Sequence, residues 1–182
     1  MVTGNMGYIG PVLMSALKEK GYDVIGYDSG YFADNLLEEI NEDYLQITKD
    51  IRDITKKDLA GIDTIIHLAG LSNDPLGEFS PKLTEDINYI GTMQLAEMAK
   101  DVGVSRFVYA SSQSMYGVSD TSSELDEDNS EKNPVTAYAI AKWNAEQQLH
   151  SMITDDFVVT SLRPSTVFGA SPRLRCDIVF NN

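Results

Sequence analysis

Short apolar stretches rich in Val, Ile and Tyr alternate along the chain with longer segments whose apolar residues recur every three or four positions. The first pattern is typical of buried strands and the second of amphipathic helices. Strands are predicted at residues 1–3, 23–27, 44–47, 64–68, 106–110 and 158–163, and the clearest helices at residues 9–20, 81–102 and 137–153. Strands that alternate with helices in this way predict a three-layer α/β fold with a doubly wound parallel sheet.

The composition limits the class of the protein. With 182 residues, of which 42% are hydrophobic, the chain is long enough for one core, so one main domain is expected. A formal net charge of -14 argues against a nucleic-acid surface, which needs clustered Lys and Arg. The single cysteine, Cys176, and the lack of a His cluster predict neither a disulfide nor a metal site. Because no segment has the length of a membrane span or the pattern of a signal peptide, we expect a cytoplasmic protein with no membrane partner.

A glycine-rich turn joins the first predicted strand to the first helix. Its glycines, Gly4, Gly7 and Gly10, are separated by two residues each. Such a turn lets backbone N–H groups and a helix N-terminus approach a pyrophosphate without intervening side chains. By itself the pattern is also compatible with a tight turn that binds nothing. The residues predicted to line a dinucleotide here are Gly4, Asn5, Met6, Gly7, Tyr8, Ile9 and Gly10.

An acidic residue follows the second predicted strand at a suitable distance. Asp28 lies near the roughly 20-residue spacing at which a carboxylate binds the adenosine ribose of a dinucleotide. This carboxylate would repel a 2′-phosphate, and Ser29, Gly30 and Tyr31 supply no cation to attract one. NAD is therefore favoured over NADP as the cofactor. The alternative is that Asp28 is an ordinary turn residue at the end of a strand.

Tyr138 and Lys142 are four residues apart, so they lie on one face of the last predicted helix. A neighbouring ammonium stabilises the phenolate and lowers the pKa of a phenol, whose usual value of about 10 is too high for acid–base work at neutral pH. Ser111 and Ser112 follow the fifth predicted strand, at the edge where open α/β sheets bind ligands. The Tyr–Lys spacing alone is common by chance, but together with the serines it indicates a proton shuttle.

These motifs resemble those of the extended short-chain dehydrogenase/reductase family, in its NAD-dependent epimerase and dehydratase branch, over residues 1–169. The resemblance implies a Rossmann-type domain that binds NAD and a catalytic triad of Ser112, Tyr138 and Lys142, in which Lys142 also donates to the nicotinamide ribose. It implies further cofactor contacts from Asp50, Ile51, Leu68, Ala69, Gly70, Asn88, Ala110, Ser111, Tyr138, Lys142 and Pro164.

The same resemblance implies a nucleotide-linked sugar as the substrate. Residues predicted to face it are Ser72 and Asn73, in a loop at residues 71–75, with Ser112, Gln113, Ser114 and Thr166. The family's dehydratases carry an Asp–Glu pair directly after the catalytic hydroxyl, where this chain has Gln113 and Ser114, so dehydration is disfavoured. The leading hypothesis is epimerisation by transient oxidation of the sugar. A net dehydrogenase or reductase and a non-catalytic NAD-binding fragment are the alternatives.

The remaining predictions concern the oligomeric state, His67, an acidic segment and the two ends of the chain. The resemblance implies a homodimer, because family members usually pair the helices that correspond to residues 81–102 and 137–153. His67, inside a strand, is predicted to be a hydrogen-bonded core residue, and the acidic segment 119–132 a solvated loop. The first strand is short, and no capped element follows the last one. We therefore expect residues before Met1 and a substrate-binding region that residues 170–182 begin.

Overall fold

The computed structural model describes residues 1–38, 40, 43–72, 74–118 and 124–175. The strands are β1 (Val2–Thr3), β2 (Ile25–Asp28), β3 (Leu45–Thr48), β4 (Thr64–His67), β5 (Arg106–Ala110) and β6 (Val158–Leu162). They form one parallel six-stranded sheet in the order β3-β2-β1-β4-β5-β6. This is the strand order of doubly wound dinucleotide-binding sheets, so the predicted fold class is confirmed.

The helices are α1 (Gly10–Glu19), α2 (Asp74–Phe79), α3 (Pro81–Glu85), a π-helical segment (Asp86–Gly91), α4 (Thr92–Asp101) and α5 (Ala137–Ser151). Short 3-10 helices cover Ile51–Asp53 and Gln113–Tyr116. The predicted helix at residues 81–102 is present, with a π-helical middle. Within the described residues, no helix has the length and apolar character needed to cross a membrane.

The predicted loop at residues 71–75 is partly wrong, because α2 begins at Asp74. Pro75 is the second residue of this helix, where the missing N–H of a proline removes no hydrogen bond. The next helix again begins with a proline, Pro81, after a cap by Ser80, whose hydroxyl accepts from the backbone N–H of Leu83. The first of these helices has only six residues, which are too few to show an apolar period in the sequence.

The core is centred on β5, which lies between β4 and β6. Phe107 and Tyr109 are fully buried on one face of this strand. The ring of His67 on β4 stacks on Tyr109 with centroids 5.9 Å apart, and Phe157 lies 6.2 Å from Phe107. The same core cluster includes Leu95, Ala96, Ala99, Ala145 and Leu149 from α4 and α5. The two helices are therefore fixed against the sheet by apolar packing.

Because all six strands are parallel, their carboxyl ends lie along one edge of the sheet. The chain leaves β1 towards β2 on one side and returns to β4 on the other, so the direction of strand order reverses beside β1. Thr3, the last residue of β1, pairs with both Tyr27 and His67. Ligands of open α/β sheets bind at such a reversal, and the predicted site residues follow the strands that meet there.

Candidate active site

The glycine-rich turn leaves β1 in a shape that only glycine allows. Gly4 has a φ of +73°, and a Cβ atom there would lie 2.6 Å from the backbone nitrogen of Ala69. A Cβ atom on Gly10 would lie 2.3 Å from the carbonyl oxygen of Asn5, so α1 could not begin where it does. The N–H of Gly7 donates to the carbonyl of Gly4 at 3.1 Å. The turn therefore packs backbone against backbone and requires glycine, as a pyrophosphate-binding turn does.

Asp28 lies beside this turn, at the end of the neighbouring strand. Its Oδ2 accepts a hydrogen bond from the backbone N–H of Met6 at 3.1 Å, and its Oδ1 accepts one from Gly30 at 2.8 Å. Met6 and Asp28 are 22 residues apart in sequence. The structure thus brings together the glycine turn and the carboxylate, as the sequence predicted.

The side chain of Asn5 supports the turn from the sheet. Asn5 is fully buried, and its Nδ2 donates to Oε1 of Gln46 at 2.7 Å and to the hydroxyl of Tyr44 at 3.4 Å. Both partners belong to the chain at β3. The sequence motif placed Asn5 among the cofactor contacts but gave no indication of this structural role for its amide.

The turn after β3 carries the predicted contacts Asp50 and Ile51. The carboxylate of Asp50 accepts from the backbone N–H of Arg52 at 2.9 Å and from its guanidinium at 2.9 and 2.7 Å. These bonds hold the pKa of Asp50 below its usual value. Ile51 is buried beneath the turn, and the hydroxyl of Tyr27 donates to the carbonyl of Asp50 at 3.1 Å.

A chain of buried hydrogen bonds runs from β1 across β4. Oγ1 of Thr3 lies 2.6 Å from Nδ1 of His67, and Nε2 of His67 lies 2.9 Å from Oγ1 of Thr92. Thr92 donates to the carbonyl of Asn88 at 2.9 Å, so it must accept from His67. His67 is therefore neutral, with its proton on Nε2, and the predicted hydrogen-bonded core histidine is confirmed. Burial, aided by the charge of Lys142, lowers the pKa of His67 to about 3.

Asn88 lies in the π-helical segment and holds the loop after β4. Its Oδ1 accepts from the N–H of Leu71 at 2.8 Å, and its Nδ2 donates to the carbonyl of Leu71 at 2.9 Å. A Cβ atom on Gly70 would lie 2.8 Å from Oδ1 of Asn88. A side chain at position 70 would therefore displace the Asn88 amide from its hydrogen bonds with Leu71. The structure brings together two predicted site residues here, Gly70 and Asn88, with Leu68 and Ala69 leading into the loop.

Lys142 lies under the carboxyl end of β5. Its ammonium donates to the carbonyl of Ala110 at 2.8 Å and lies 4.9 Å from the centre of the Tyr109 ring. The centre of the Tyr138 ring is 5.9 Å away, on the same face of α5. Only 5% of Lys142 is exposed, and this burial lowers its pKa from 10.5 to about 8. The predicted pairing of phenol and ammonium is therefore present.

Ser111 and Ser112 continue the chain from β5 and are both buried. Ser112 caps the following 3-10 helix, and its hydroxyl oxygen accepts from the N–H of Ser114 at 3.1 Å. Among the described residues, no group bonds to the hydroxyl of Ser111. The N–H of Gln113 donates to the carbonyl of Pro164 at 3.2 Å, which fixes the predicted nicotinamide contact beside the serines.

The model of the NAD-dependent epimerase/dehydratase family matches residues 1–179. The chain belongs to this family. It is 31% identical to the UDP-glucose 4-epimerase of Mycolicibacterium smegmatis, over 93% of this chain and 56% of the relative. The chain thus spans about half the length of the curated relatives it matches.

Two solved structures of similar fold contain nucleotide sugars. One is the UDP-N-acetylglucosamine 4-epimerase of Methanobrevibacter ruminantium in complex with UDP-N-acetylmuramic acid, with a TM-score of 0.85 and 25% identity, covering 100% of this chain and 58% of that one. The other is MoeE5 in complex with UDP-glucuronic acid and NAD, with a TM-score of 0.83 and 27% identity, covering 99% and 58%. The resemblance inferred from the motifs is therefore confirmed.

In this family member, α2 supports the helix that carries Tyr138. A Cβ atom on Gly77 would lie 3.2 Å from Cβ of Tyr138, so the two backbones are in close contact. Oε1 of Glu78 accepts from the N–H of Ala137 at 2.6 Å, next to the cap that Thr136 supplies. Sequence reasoning missed both Gly77 and Glu78, because a six-residue helix has too few turns to show a period.

The predicted substrate contacts follow three adjacent strands. Ser72 lies after β4, Gln113 after β5 and Thr166 after β6, and all three are exposed. Ser114 is half-buried in the 3-10 helix, and Asn73 lies outside the described residues. The structure thus places the described members on one edge of the sheet. It also shows no group of His, Cys, Asp and Glu, within the residues searched, that could hold a metal ion.

The segment after β6 returns to the glycine turn. The hydroxyl of Tyr8 donates to the carbonyl of Gly169 at 2.6 Å, and the hydroxyl of Ser171 donates to the carbonyl of Tyr8 at 2.7 Å. The N–H of Leu37 donates to the carbonyl of Pro172 at 2.8 Å. Residues that were predicted to begin a separate region, from position 170, therefore contact the nucleotide-binding domain as far as the structure describes them. Cys176 lies outside the described residues.

Proposed function

We propose that the complete protein is an NAD-dependent epimerase of a nucleotide-linked sugar, with Ser112, Tyr138 and Lys142 as its catalytic residues. The buried ammonium of Lys142, 5.9 Å from the centre of the Tyr138 ring, carries this proposal. A buried cation beside a phenol favours the phenolate. Because the pKa of Lys142 is about 8, the side chain is mostly charged at neutral pH and can serve this purpose.

The geometry of the cleft fits NAD. The turn at residues 4–10 follows a tight path that requires glycine, since a Cβ atom on Gly4 or Gly10 would meet backbone within 3 Å, and such glycine turns bind pyrophosphate. Asp28 would accept from the adenosine ribose, and Lys142 and Pro164 would border the nicotinamide end. When bound, NAD supplies an acceptor that takes a hydride from the sugar and can return it.

Each catalytic side chain has one task in this proposal. Tyr138, as the phenolate, would take the proton of a sugar hydroxyl as the carbon that bears this hydroxyl is oxidised to a ketone. Lys142 stabilises the phenolate, and Ser112 donates to the sugar oxygen. Tyr138 would then return its proton to the sugar oxygen as the ketone is reduced on its opposite face. The product is the inverted alcohol, and no net oxidation occurs.

The relatives support a uridine diphosphate sugar as the substrate. Their names and bound molecules include UDP-glucose, UDP-glucuronic acid and UDP-N-acetylmuramic acid. Dehydration lacks support from the residues, because Gln113 and Ser114 follow Ser112 where the family's dehydratases have two acids. We therefore propose inversion at one sugar carbon as the reaction.

We also propose that the complete protein is a homodimer. Outward-facing apolar residues on α3, the π-helical segment and α5 support this arrangement: Leu83, Ile90 and Ile140 are 39%, 41% and 43% exposed. Sedimentation velocity should give twice the mass of one chain. Replacing Ile90 and Ile140 by Asp should give single chains, and a native protein that sediments as one chain would contradict the proposal.

The proposed activity is tested by following UDP-glucose by proton NMR with the complete protein and NAD. Native protein should yield the 4-epimer without accumulation of reduced cofactor, whereas continuous accumulation would identify a net dehydrogenase. Tyr138→Phe should lower kcat by about a thousandfold, since proton transfer is lost. Its affinity for NAD, measured by calorimetry, should remain within about threefold. Unchanged turnover by Tyr138→Phe would overturn the catalytic assignment.

A further inference from the structure

Arg163, the first residue after β6, binds to three separate parts of the protein. Its Nε and Nη2 donate to Oε1 of Glu146 on α5, at 3.0 and 2.6 Å. Its Nη1 donates to the hydroxyl of Tyr116 at 2.8 Å and to the carbonyl of Glu127 at 2.7 Å. Glu127 lies in an exposed acidic loop. One guanidinium thus joins the end of β6 to α5, to the turn after β5 and to this loop.

The groups that Arg163 binds are close in sequence to the proposed catalytic residues. Glu146 is one helical turn beyond Lys142 on α5, and both side chains are buried. Tyr116 ends the 3-10 helix that Ser112 caps. The contact therefore spans from the element that carries the phenol and ammonium to the element that carries the serine.

We propose that Arg163 and Glu146 are positioning residues of the proposed active site: their ion pair, extended to Tyr116, fixes the serine turn against the helix that carries Tyr138 and Lys142. This inference rests on the proposed function. In this positioning role, neither Arg163 nor Glu146 needs to contact substrate or cofactor.

Burial makes this ion pair sensitive to geometry. The side chains of Glu146 and Arg163 are 2% and 16% exposed. Loss of one partner would leave a charge without compensation in a dry site, which costs far more than loss of a surface pair. The Glu146 carboxylate also affects the buried Tyr109. Burial and the charges of Tyr138 and Glu146 raise the pKa of the Tyr109 hydroxyl. Lys142 lies over that same Tyr109 ring at 4.9 Å.

The chemistry of the contact requires arginine. Three nitrogens of a planar guanidinium donate in fixed directions to acceptors on three elements, whereas a lysine ammonium is a point charge on a flexible stem. The guanidinium carbon also lies 5.7 Å from the centre of the Tyr116 ring and 5.9 Å from that of Trp143. Arg163→Lys keeps the charge and removes this directional arrangement, so it separates the two contributions.

The test measures the pKa of Lys142 by NMR of its ammonium in the native protein and in Arg163→Lys. The ionisable groups that face Lys142 are Tyr109, Tyr138 and His67, and no variant used here changes them. If the ion pair positions α5, loosening it admits water to the ammonium, and the pKa should rise from about 8 by roughly one unit. In the complete protein kcat should fall about 10- to 100-fold, with KM within about threefold.

Two further variants complete the design. Asp58→Asn removes a carboxylate that bonds to Lys49 and Thr55 on the other half of the sheet, so it should lower stability without moving the pKa of Lys142. Tyr116→Phe deletes one hydroxyl, leaves the ion pair intact, and should lower kcat about threefold to tenfold. Tyr116→Phe is the test variant if Arg163→Lys does not fold.

The outcomes separate this inference from the proposed function. If native protein has no epimerase activity, the proposed function fails, while the pKa of Lys142 still reports on positioning. A native pKa and a native kcat in Arg163→Lys would show that the pair acts only as a charge contact, and the inference would be overturned. For a protein in which Arg163→Lys does not fold, a native kcat in Tyr116→Phe has the same meaning.

Discussion

The two halves of the sheet contribute different kinds of groups to the predicted site at the carboxyl ends of the strands. Around β1–β3, the predicted cofactor contacts are backbone atoms and two partly exposed carboxylates, Asp28 and Asp50, that accept hydrogen bonds from neighbouring N–H groups. Around β4–β6, ionisable side chains are buried: His67, Lys142 and Glu146 are 0%, 5% and 1% exposed. The first half therefore depends on space for the backbone, and the second on the placement of charge.

This difference predicts different responses to substitution. Adding one methyl group should damage the β1–β3 half, where Cβ positions meet backbone atoms, without any change of charge. A change of pH or of a single hydrogen-bond donor should alter the stability of the β4–β6 half, where buried polar groups have few alternative partners.

The largest effect is expected for Gly4→Ala. Gly4 and Gly21 have φ values of +73° and +82°, but a Cβ atom on Gly4 would lie 2.6 Å from the nitrogen of Ala69, whereas one on Gly21 would meet nothing within 4 Å. Gly21→Ala should lower the free energy of unfolding by about 1 kcal/mol through backbone strain alone. Gly4→Ala should lower it by about 3 kcal/mol.

Urea denaturation of both variants measures this difference, and NAD calorimetry should show at least about tenfold weaker binding for Gly4→Ala only. Equal losses of stability in the two variants would mean that strain, and not the contact with Ala69, makes glycine necessary in the turn.

The next largest effect concerns Lys142 and pH. Its pKa is 10.5 in an unfolded chain and about 8 in the fold. Between these values the unfolded state binds more protons, so the free energy of unfolding should rise with pH, by at most about 3 kcal/mol, as the cost of burying the ammonium disappears. Lys142→Met should show no such rise.

The measurement is urea denaturation from about pH 7.5 to pH 9.5, because the raised pKa values of Tyr27 and Tyr109 destabilise the fold at higher pH. Subtracting the Lys142→Met curve removes contributions of other groups. A flat difference would show that the ammonium is solvated in the fold, against the geometry that carries the proposed function.

The sequence was sufficient where a feature depends on neighbours along the chain. The pattern of apolar residues located all six strands within a few residues, because each alternates with a polar segment. The pairs of Gly4 with Gly10 and Tyr138 with Lys142 were found for the same reason: their spacing sets their geometry within one turn or one helix.

Partners that come from distant segments were not predicted. His67 was predicted to be hydrogen-bonded in the core, but its partners on β1 and α4 lie 64 and 25 positions away. Arg163 and Glu146 are 17 residues apart on separate elements. No local period encodes such partners, and a lone His or Arg in a strand is compatible with many environments. Only the packed structure identifies them.

A smaller effect is expected for Thr92→Val. The change keeps shape but leaves the Nε2–H of His67 and the carbonyl of Asn88 without the Thr92 hydroxyl. Unsatisfied buried groups should lower the free energy of unfolding by about 2 kcal/mol. The exposed Thr160 on β6 provides the control, since Thr160→Val should change stability by less than about 0.5 kcal/mol.

Nitrogen NMR of the His67 ring in the native protein tests the same chain of hydrogen bonds. In native protein the ring should be neutral, with its proton on Nε2, down to about pH 4, since its pKa is about 3. A proton found on Nδ1 would contradict the direction assigned to the chain of hydrogen bonds from Thr3 to Asn88.

The smallest effect tests whether the β1–β3 half also uses charge. Asp28→Asn keeps the size of the side chain and can still accept one of the two backbone N–H groups, but removes the negative charge. NAD affinity should fall about tenfold and NADP affinity should rise, so that calorimetry shows a narrower preference. Asp34→Asn, an exposed change in the same loop, should leave both affinities unchanged. If NADP still fails to bind to Asp28→Asn, the crowded backbone at Met6 and Gly30 excludes the extra phosphate, and space governs this half of the site even in its choice of cofactor.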